Sequence, residues 1–237
     1  MLITRKTILI ISLLLIVINI SAIFLTEDLY YSRYTRLIAS SSLFLVFLLL
    51  KGFKKMLLLI AFLFLISADI CMLNFEFILW NKLNFTFSIF GHILISIYLI
   101  SQIKNLKFNL SLIGFFVLIS LLNVLFINQL VSIPIQDSVN SMSTYTYAFG
   151  FSLILLGVSV SAYNLKYFSE RSSYALLFVF GLILANVFNY LAYYLEIRSL
   201  FYVNRVLYIM SLTIFVVFSV TSLREVSPLI LEREKIK

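Results

Sequence analysis

Two ionisable side chains stand inside long apolar stretches of this sequence, Asp69 in LISADICML and His92 in FGHILIS. An ionisable group is costly in apolar surroundings, so its presence there is a functional-site hypothesis by default. A carboxyl group and an imidazole together can transfer protons, which is general acid and base catalysis. We predict Asp69 and His92 as catalytic residues that meet directly or through one water molecule.

Other polar residues recur at helical spacing near these two positions, so that each set shares one helix face. The sets are Ser88 and Ser96 on either side of His92, Asn186 and Asn189 with Tyr193, and Tyr208 on a later segment. Such faces avoid lipid, and we predict that they bind substrate around a polar cavity. Packing between helices is the alternative, because small and amide residues at this spacing also join membrane helices.

Other chemistries lack the residues they need. Cys71 lies two positions from Asp69 and points to another helix face, and His92 is the only histidine in the chain. A zinc site usually takes three or four nitrogen or sulfur ligands, so no metal and no cofactor is predicted. No nucleophile-elbow pattern surrounds a serine, which leaves acid and base chemistry.

The composition indicates that these residues lie within a membrane. Of 237 residues, 62% are hydrophobic and 12% are charged, which is too apolar for a soluble domain. About 20 residues cross a bilayer as a helix, and the uncharged gaps between charged clusters have that length. The sequence predicts an all-α, polytopic membrane helical bundle in a single domain, 1–237. Its eight helices are predicted at 7–25, 34–50, 56–75, 83–102, 109–127, 146–164, 172–195 and 204–223.

The uncharged part of the predicted helix at 34–50 is shorter than a membrane-spanning helix needs. Tyr34 and Arg36 extend it if their polar tips reach the membrane interface. The third helix contains Asp69 and the fourth contains His92, and a short connection makes these two helices antiparallel neighbours. This arrangement is the basis for expecting the two side chains to meet.

Lysine and arginine predict the orientation, because they are enriched in cytoplasmic loops. With the N-terminus inside, the inner segments hold Arg5, Lys6, Lys51, Lys54, Lys55, Lys104, Lys107, Lys166, Arg171, Arg224, Arg233, Lys235 and Lys237. The outer segments hold Arg33, Arg36, Lys82, Arg198 and Arg205. We predict a multi-pass protein of the plasma (inner) membrane with both termini cytoplasmic. The net charge of +8 then reflects topology and membrane lipids as partners, and no nucleic acid is expected.

The two halves of the chain resemble each other weakly. Residues 62–72 read FLFLISADICM and residues 179–189 read VFGLILANVFN, which aligns Ala68 and Asp69 with Ala185 and Asn186. The offset is four helices, so the pattern predicts a possible 4+4 parallel repeat.

The stretch 62–102 resembles the YhhN family of eight-helix membrane proteins, whose characterised members are lysoplasmalogenases. The family's aspartate near the end of the third helix is matched by Asp69, and its small residue, His and Tyr in the fourth helix are matched by Gly91, His92 and Tyr98. The chain departs from the family at Asn186, where an aspartate is usual. The resemblance implies hydrolysis of the vinyl-ether bond of a lysophospholipid, with Asp69 as general acid and His92 as its partner base.

Three other functions remain open at this point. A non-catalytic lipid-binding protein would keep the cavity without the second acid. A small proton-linked transporter would titrate Asp69 and His92 during its cycle. A scaffold protein would use both residues for stability alone.

Overall fold

The computed structural model describes residues 5–26, 29–103, 110–131 and 139–221. These residues form eight α-helices and one short 3₁₀ turn, with no strand among them, so the all-α prediction is confirmed. The helices are α1 (Arg5–Leu25), α2 (Leu29–Leu49), α3 (Met56–Met72), α4 (Ile78–Gln102), α5 (Leu110–Val131), α6 (Val139–Tyr167), α7 (Glu170–Tyr194) and α8 (Arg198–Val220). The 3₁₀ turn, Gly52–Lys54, connects α2 to α3. Several of the predicted inner basic residues, Lys104 and Lys107 among them, lie outside the described ranges.

Five helices in the described part of the chain are long and apolar enough to cross a membrane: α1, α4, residues 142–167 of α6, α7 and α8. Large apolar side chains also cover the outside of the bundle, as at Leu14 and Val17 of α1, which are 59% and 61% exposed. A soluble monomer rarely exposes such a continuous apolar surface. These features indicate a multi-pass membrane protein.

Helix α8 lies at the centre of the bundle. It packs most extensively against α7 and also contacts α1 and α2, while α4 packs against α3 and α6. Phe47 of α2, Phe62 of α3, Phe178 of α7 and Phe215 of α8 bring their rings together in the core. The connections between consecutive helices alternate between the two ends of the bundle. At the end that we call the site end, α3 and α7 finish and α4 and α8 begin; the other end is called the opposite end.

The prediction for α2 is wrong in one respect. Arg36 does not extend the helix towards the lipid headgroups, because α2 begins at Leu29 and buries both Arg33 and Arg36 inside the bundle. Arg205, predicted in an outer segment, is fully buried within α8. These three cations have partners inside the protein, which the sequence alone does not reveal.

Four pairs of helix contacts agree with a 4+4 parallel repeat, although the α1–α8 contact has no comparable counterpart between α5 and α4 in the described residues. The pairs α1–α2, α2–α3, α3–α4 and α2–α8 correspond to α5–α6, α6–α7, α7–α8 and α6–α4, and all eight pairs are in contact. The same hydrogen bond recurs in both halves. Asn84 Nδ2 of α4 donates to the Ala68 carbonyl of α3 at 2.7 Å, and Asn204 Nδ2 of α8 donates to the Ala185 carbonyl of α7 at 2.7 Å. Asp69 and Asn186 follow the two alanines, so they occupy equivalent places.

Candidate intramembrane site

Asp69 forms an ion pair inside the bundle. Its Oδ1 lies 2.9 Å from Arg36 Nε, and the Tyr208 hydroxyl donates a hydrogen bond to its Oδ2 at 2.6 Å. The Arg36 guanidinium lies over the Tyr208 ring, 3.9 Å from its centroid, a cation–π contact. All three residues are buried, so helices α2, α3 and α8 meet around one carboxylate.

Arg36 connects this carboxylate to α7. Its Nη1 lies 3.3 Å from Asn189 Oδ1 and 3.4 Å from Met72 Sδ. A buried guanidinium needs several acceptors, because each N–H group removed from water without a partner is costly. Arg36 therefore connects the polar side chains of the site to one another. The sequence analysis did not predict this role.

Arg33, one helical turn before Arg36, forms a second network nearer the site end. Its Nε donates to the Tyr193 hydroxyl at 2.7 Å and its Nη1 donates to Glu76 Oε2 at 2.8 Å. Glu76 lies between α3 and α4, where the hydrogen bond from Arg33 lowers the pKa of its carboxyl. Arg33 is buried and Glu76 is mostly exposed, so the pair joins the interior to the surface.

His92 has other partners than Asp69, so the two side chains do not meet directly as predicted. Ser152 Oγ of α6 donates to the Phe149 carbonyl at 2.7 Å and lies 2.9 Å from His92 Nδ1. Since the single hydroxyl hydrogen is used in the first bond, this network assigns the imidazole hydrogen to Nδ1. His92 Nε2 is then a buried acceptor without a partner in the described structure.

Three cavities occur in and beside this region. The vestibule, about 630 Å³, lies at the site end, where Arg33, Glu76, Glu196 and Arg198 carry its charges. The neck, about 30 Å³, is bordered by Arg36, Asn84, Ser88, Asn186, Asn189 and Tyr193, among others. The chamber, about 220 Å³, lies between α5, α6 and α7, and most of its lining is apolar, including Leu153, Val158, Phe180 and Ile183.

The three cavities share walls in that order. Phe75, Tyr193 and Tyr194 border both the vestibule and the neck. Phe149, Asn186 and Tyr190 border both the neck and the chamber. The site therefore runs from a charged entrance through a small polar space to an apolar space.

No family model, curated protein or solved structure matches this chain. Among the described residues, no three His, Cys, Asp or Glu side chains are grouped as metal ligands.

The structure places half of the eight predicted site residues in the wall of the neck and two more directly behind it. Ser88, Asn186, Asn189 and Tyr193 line the neck. Asp69 and Tyr208 lie behind it, in contact with the neck residue Arg36. Ser96 is used elsewhere, since its hydroxyl donates to the His92 carbonyl at 2.9 Å within α4.

One signal in the sequence pointed to the missed arginines. A carboxylate at membrane depth is normally paired, and Arg33 and Arg36 are the cations that precede the third helix at helical spacing. Their position near a predicted helix end suggested the interface instead. Helix α2 resolves the conflict because it begins earlier and carries both residues into the bundle.

Proposed function

We propose that this protein binds a single-chain phospholipid in the vestibule, neck and chamber and hydrolyses its vinyl-ether bond, as a lysoplasmalogenase-like enzyme. The observation that carries the proposal is the order of the three adjacent cavities, from charged to polar to apolar. A lysophospholipid has the same order, with a headgroup, a glycerol and one long chain.

The dimensions of the cavities support this substrate class. The vestibule offers both signs of charge to a headgroup. The chamber follows α6 from Thr146 to Ser161, about 22 Å at 1.5 Å per residue, which suits a long alkyl chain. The bond between glycerol and chain then lies at the neck, whose volume is enough for a water molecule and whose polar walls would hold one.

The chemistry needs one proton and one water. Protonation of the outer carbon of the double bond gives an oxocarbenium ion, and water adds to its cationic carbon with loss of a proton. The resulting hemiacetal breaks into a fatty aldehyde and the glycerol alcohol. We assign the proton donor to Asp69 and the partner base to His92, which lies behind the neck with its ring against the neck residue Phe149 and its Nε2 without a partner in the described structure.

Because Asp69 is paired with Arg36, substrate binding must separate the two side chains before Asp69 can act as the acid. An anionic phosphate on the vestibule side of the neck would compete for the Arg36 guanidinium, since arginine binds phosphate and carboxylate in the same way. Released from Arg36, Asp69 Oδ1 would be free to act on the substrate. Asn186 and Asn189 would orient the glycerol and the water.

Aldehyde release from detergent-purified protein tests the proposal. The substrates are a lysoplasmalogen and its saturated-ether analogue, and the proteins are wild type, Asp69→Asn, His92→Ala and the control Ser96→Ala, which changes a buried serine outside the neck. We expect release from the vinyl ether only, a loss of about a hundredfold or more in Asp69→Asn, and near wild-type activity in Ser96→Ala. No release from folded, monodisperse wild type would refute the hydrolase.

A second function is favoured by one observation. Both Asp69 oxygens are engaged, by Arg36 and by Tyr208, so the carboxyl is held as a structural group. On this alternative the protein binds a lysophospholipid without cleaving it. Saturable binding that weakens in Asn186→Leu, with no aldehyde formed, would identify the binding protein.

We also propose that the protein lies in the plasma (inner) membrane. In this orientation the opposite end of the bundle faces the cytoplasm. In the described residues that end holds Arg5, Lys6, Lys51, Lys54, Lys55, Lys166 and Arg171. At the site end, Arg33, Arg36 and Arg205 are buried, which leaves fewer cations at that surface. The asymmetry supports a positive-inside arrangement with the N-terminus cytoplasmic.

A further inference from the structure

Two cations face each other at the opposite end of the bundle. Lys55 immediately precedes α3, and Arg171 is the second residue of α7. Burial, with the charge of Arg171 as a second cause, lowers the pKa of Lys55 to about 8. Both side chains reach the same turn of α8, Lys55 at Ser219 and Arg171 at Phe218, so the two cations lie near each other.

Neither cation has a carboxylate partner among the residues that the structure describes. Lys55 Nζ donates to the Ser219 carbonyl of α8. Arg171 Nη2 donates to the Tyr98 hydroxyl at 2.5 Å, and its guanidinium lies 5.0 Å from the Phe218 ring centroid.

The acid next in sequence does not neutralise the cluster. Glu170 turns away from Arg171 to pair with Arg5 at 2.5 Å and to accept a hydrogen bond from Tyr174. Arg171 is only 5% exposed, and its Nε has no hydrogen-bond partner. The Tyr163 hydroxyl, on α6, is likewise buried without a partner.

This arrangement is electrostatically unfavourable as it stands. A cation near a helix N-terminus opposes the helix dipole, and here one cation lies at the start of each of two helices. A buried guanidinium without a counter-ion adds a desolvation cost. An anion would relieve both costs, and its oxygens could accept from Arg171 Nε and from Lys55.

We propose that a phosphate-bearing anion binds at the opposite end of the bundle, between Lys55 and Arg171. Its source is an anionic lipid headgroup or free phosphate. The site lies at the other end of α3 and α7 from the neck, so it is independent of the hydrolase proposal. Lys51 and Lys54, which are exposed beside it, would draw anions towards it.

Thermal unfolding of the full chain in neutral detergent tests the proposal. Inorganic phosphate, or phosphatidylglycerol added to the micelles, is compared with chloride at matched ionic strength and with phosphatidylcholine. We expect at least one of the two phosphate sources to raise the melting temperature. The source that acts identifies the ligand, and no rise with either would overturn the proposal.

Variants locate the site. Lys55→Gln and Arg171→Gln should weaken binding by about tenfold or more, the loss expected for one hydrogen bond to a charged group. Lys54→Gln, which removes an exposed cation of the same loop, is the matched control. Equal weakening by Lys54→Gln and Lys55→Gln would mean a diffuse surface effect and would overturn the site.

Amine labelling provides a readout that does not depend on unfolding, should Arg171→Gln fail to fold. Lys55, with a pKa of about 8, should be open to labelling at pH 8. Bound anion stabilises the protonated amine, so it should slow labelling of Lys55 and leave Lys54 unchanged. Labelling of Lys55 that is insensitive to saturating anion would overturn the proposal.

Discussion

The ion pair of Asp69 and Arg36 is the residue-scale feature on which the site depends. Buried pairs are weak sources of stability, but removing one partner leaves the other charge buried alone. The pair also joins four helices, since α2 and α3 carry it and it contacts Tyr208 on α8 and Asn189 on α7. We infer that it fixes these side chains beside the neck.

A double-mutant cycle tests this reading of the pair. Asp69→Leu and Arg36→Met should each lower the free energy of unfolding by about 3–5 kcal/mol, because each strands a buried charge. The double variant should recover most of that loss, because neither charge remains. Chemical unfolding in detergent measures the four stabilities, and strictly additive losses would contradict a direct pair.

The residue scale also shows what sequence alone could and could not predict. Asp69 and His92 could be identified because an ionisable residue within an apolar run is easily recognised in the sequence. Their partners could not, because Arg36 and Ser152 reach them from helices distant in sequence. The prediction that the two pair with each other came from helix adjacency, and α3 and α4 are indeed neighbours; rotation about each helix axis decides the partner instead.

At the scale of elements, the gaps between charges predicted the helices well, since a long apolar run has few alternatives to a helix. The predicted starts of α2 and α8 failed because charges there are buried. Arg33, Arg36 and Arg205 were read as ends of helices, whereas they lie within α2 and α8. A charge marks a helix end only when it has no partner inside the bundle.

The turn between α2 and α3 depends on a glycine. A Cβ atom on Gly52 would lie 2.5 Å from the ring of Phe47, which is fully buried in the aromatic core and has no room to move. We expect Gly52→Ala to destabilise the protein by about 1–3 kcal/mol through overpacking. Thermal unfolding in detergent measures the effect.

Gly114 supplies the control for this prediction. It lies within α5, and a Cβ atom there would meet nothing within 4 Å. Gly114→Ala should therefore leave stability unchanged or raise it by up to about 1 kcal/mol, through better helix propensity. If the two substitutions have equal effects, the close approach of Gly52 to Phe47 is not what matters.

At the scale of the whole molecule, the repeat makes two distant hydrogen bonds comparable. Asn84→Leu and Asn204→Leu each remove a bond to an alanine carbonyl in the preceding odd-numbered helix. Each should cost about 1 kcal/mol for that bond. Asn204→Leu should cost more, because Asn204 also accepts from the buried Arg205 at 2.6 Å. Unfolding of both variants, side by side, tests the order, and a larger loss in Asn84→Leu would contradict it.

The repeat was also visible in the sequence, but only as a faint likeness between two apolar segments. Its support comes from equivalent contacts in the two halves, which no single segment contains. The halves differ where charge matters, with Asp69 in one and Asn186 in the other. One half therefore holds the ion pair, and the other presents an uncharged amide to the neck and chamber.

The central position of α8 has a consequence for how the chain is made. Among the helices that the structure describes it is synthesised last, yet it fills the space between α1, α2 and α7 and supplies Tyr208. Asp69 and Arg36 can find each other as soon as α3 has been inserted, before the rest of the chain is synthesised. Until α8 arrives, the earlier helices hold open the groove it will occupy, and an unfinished chain exposes that groove to membrane chaperones and proteases.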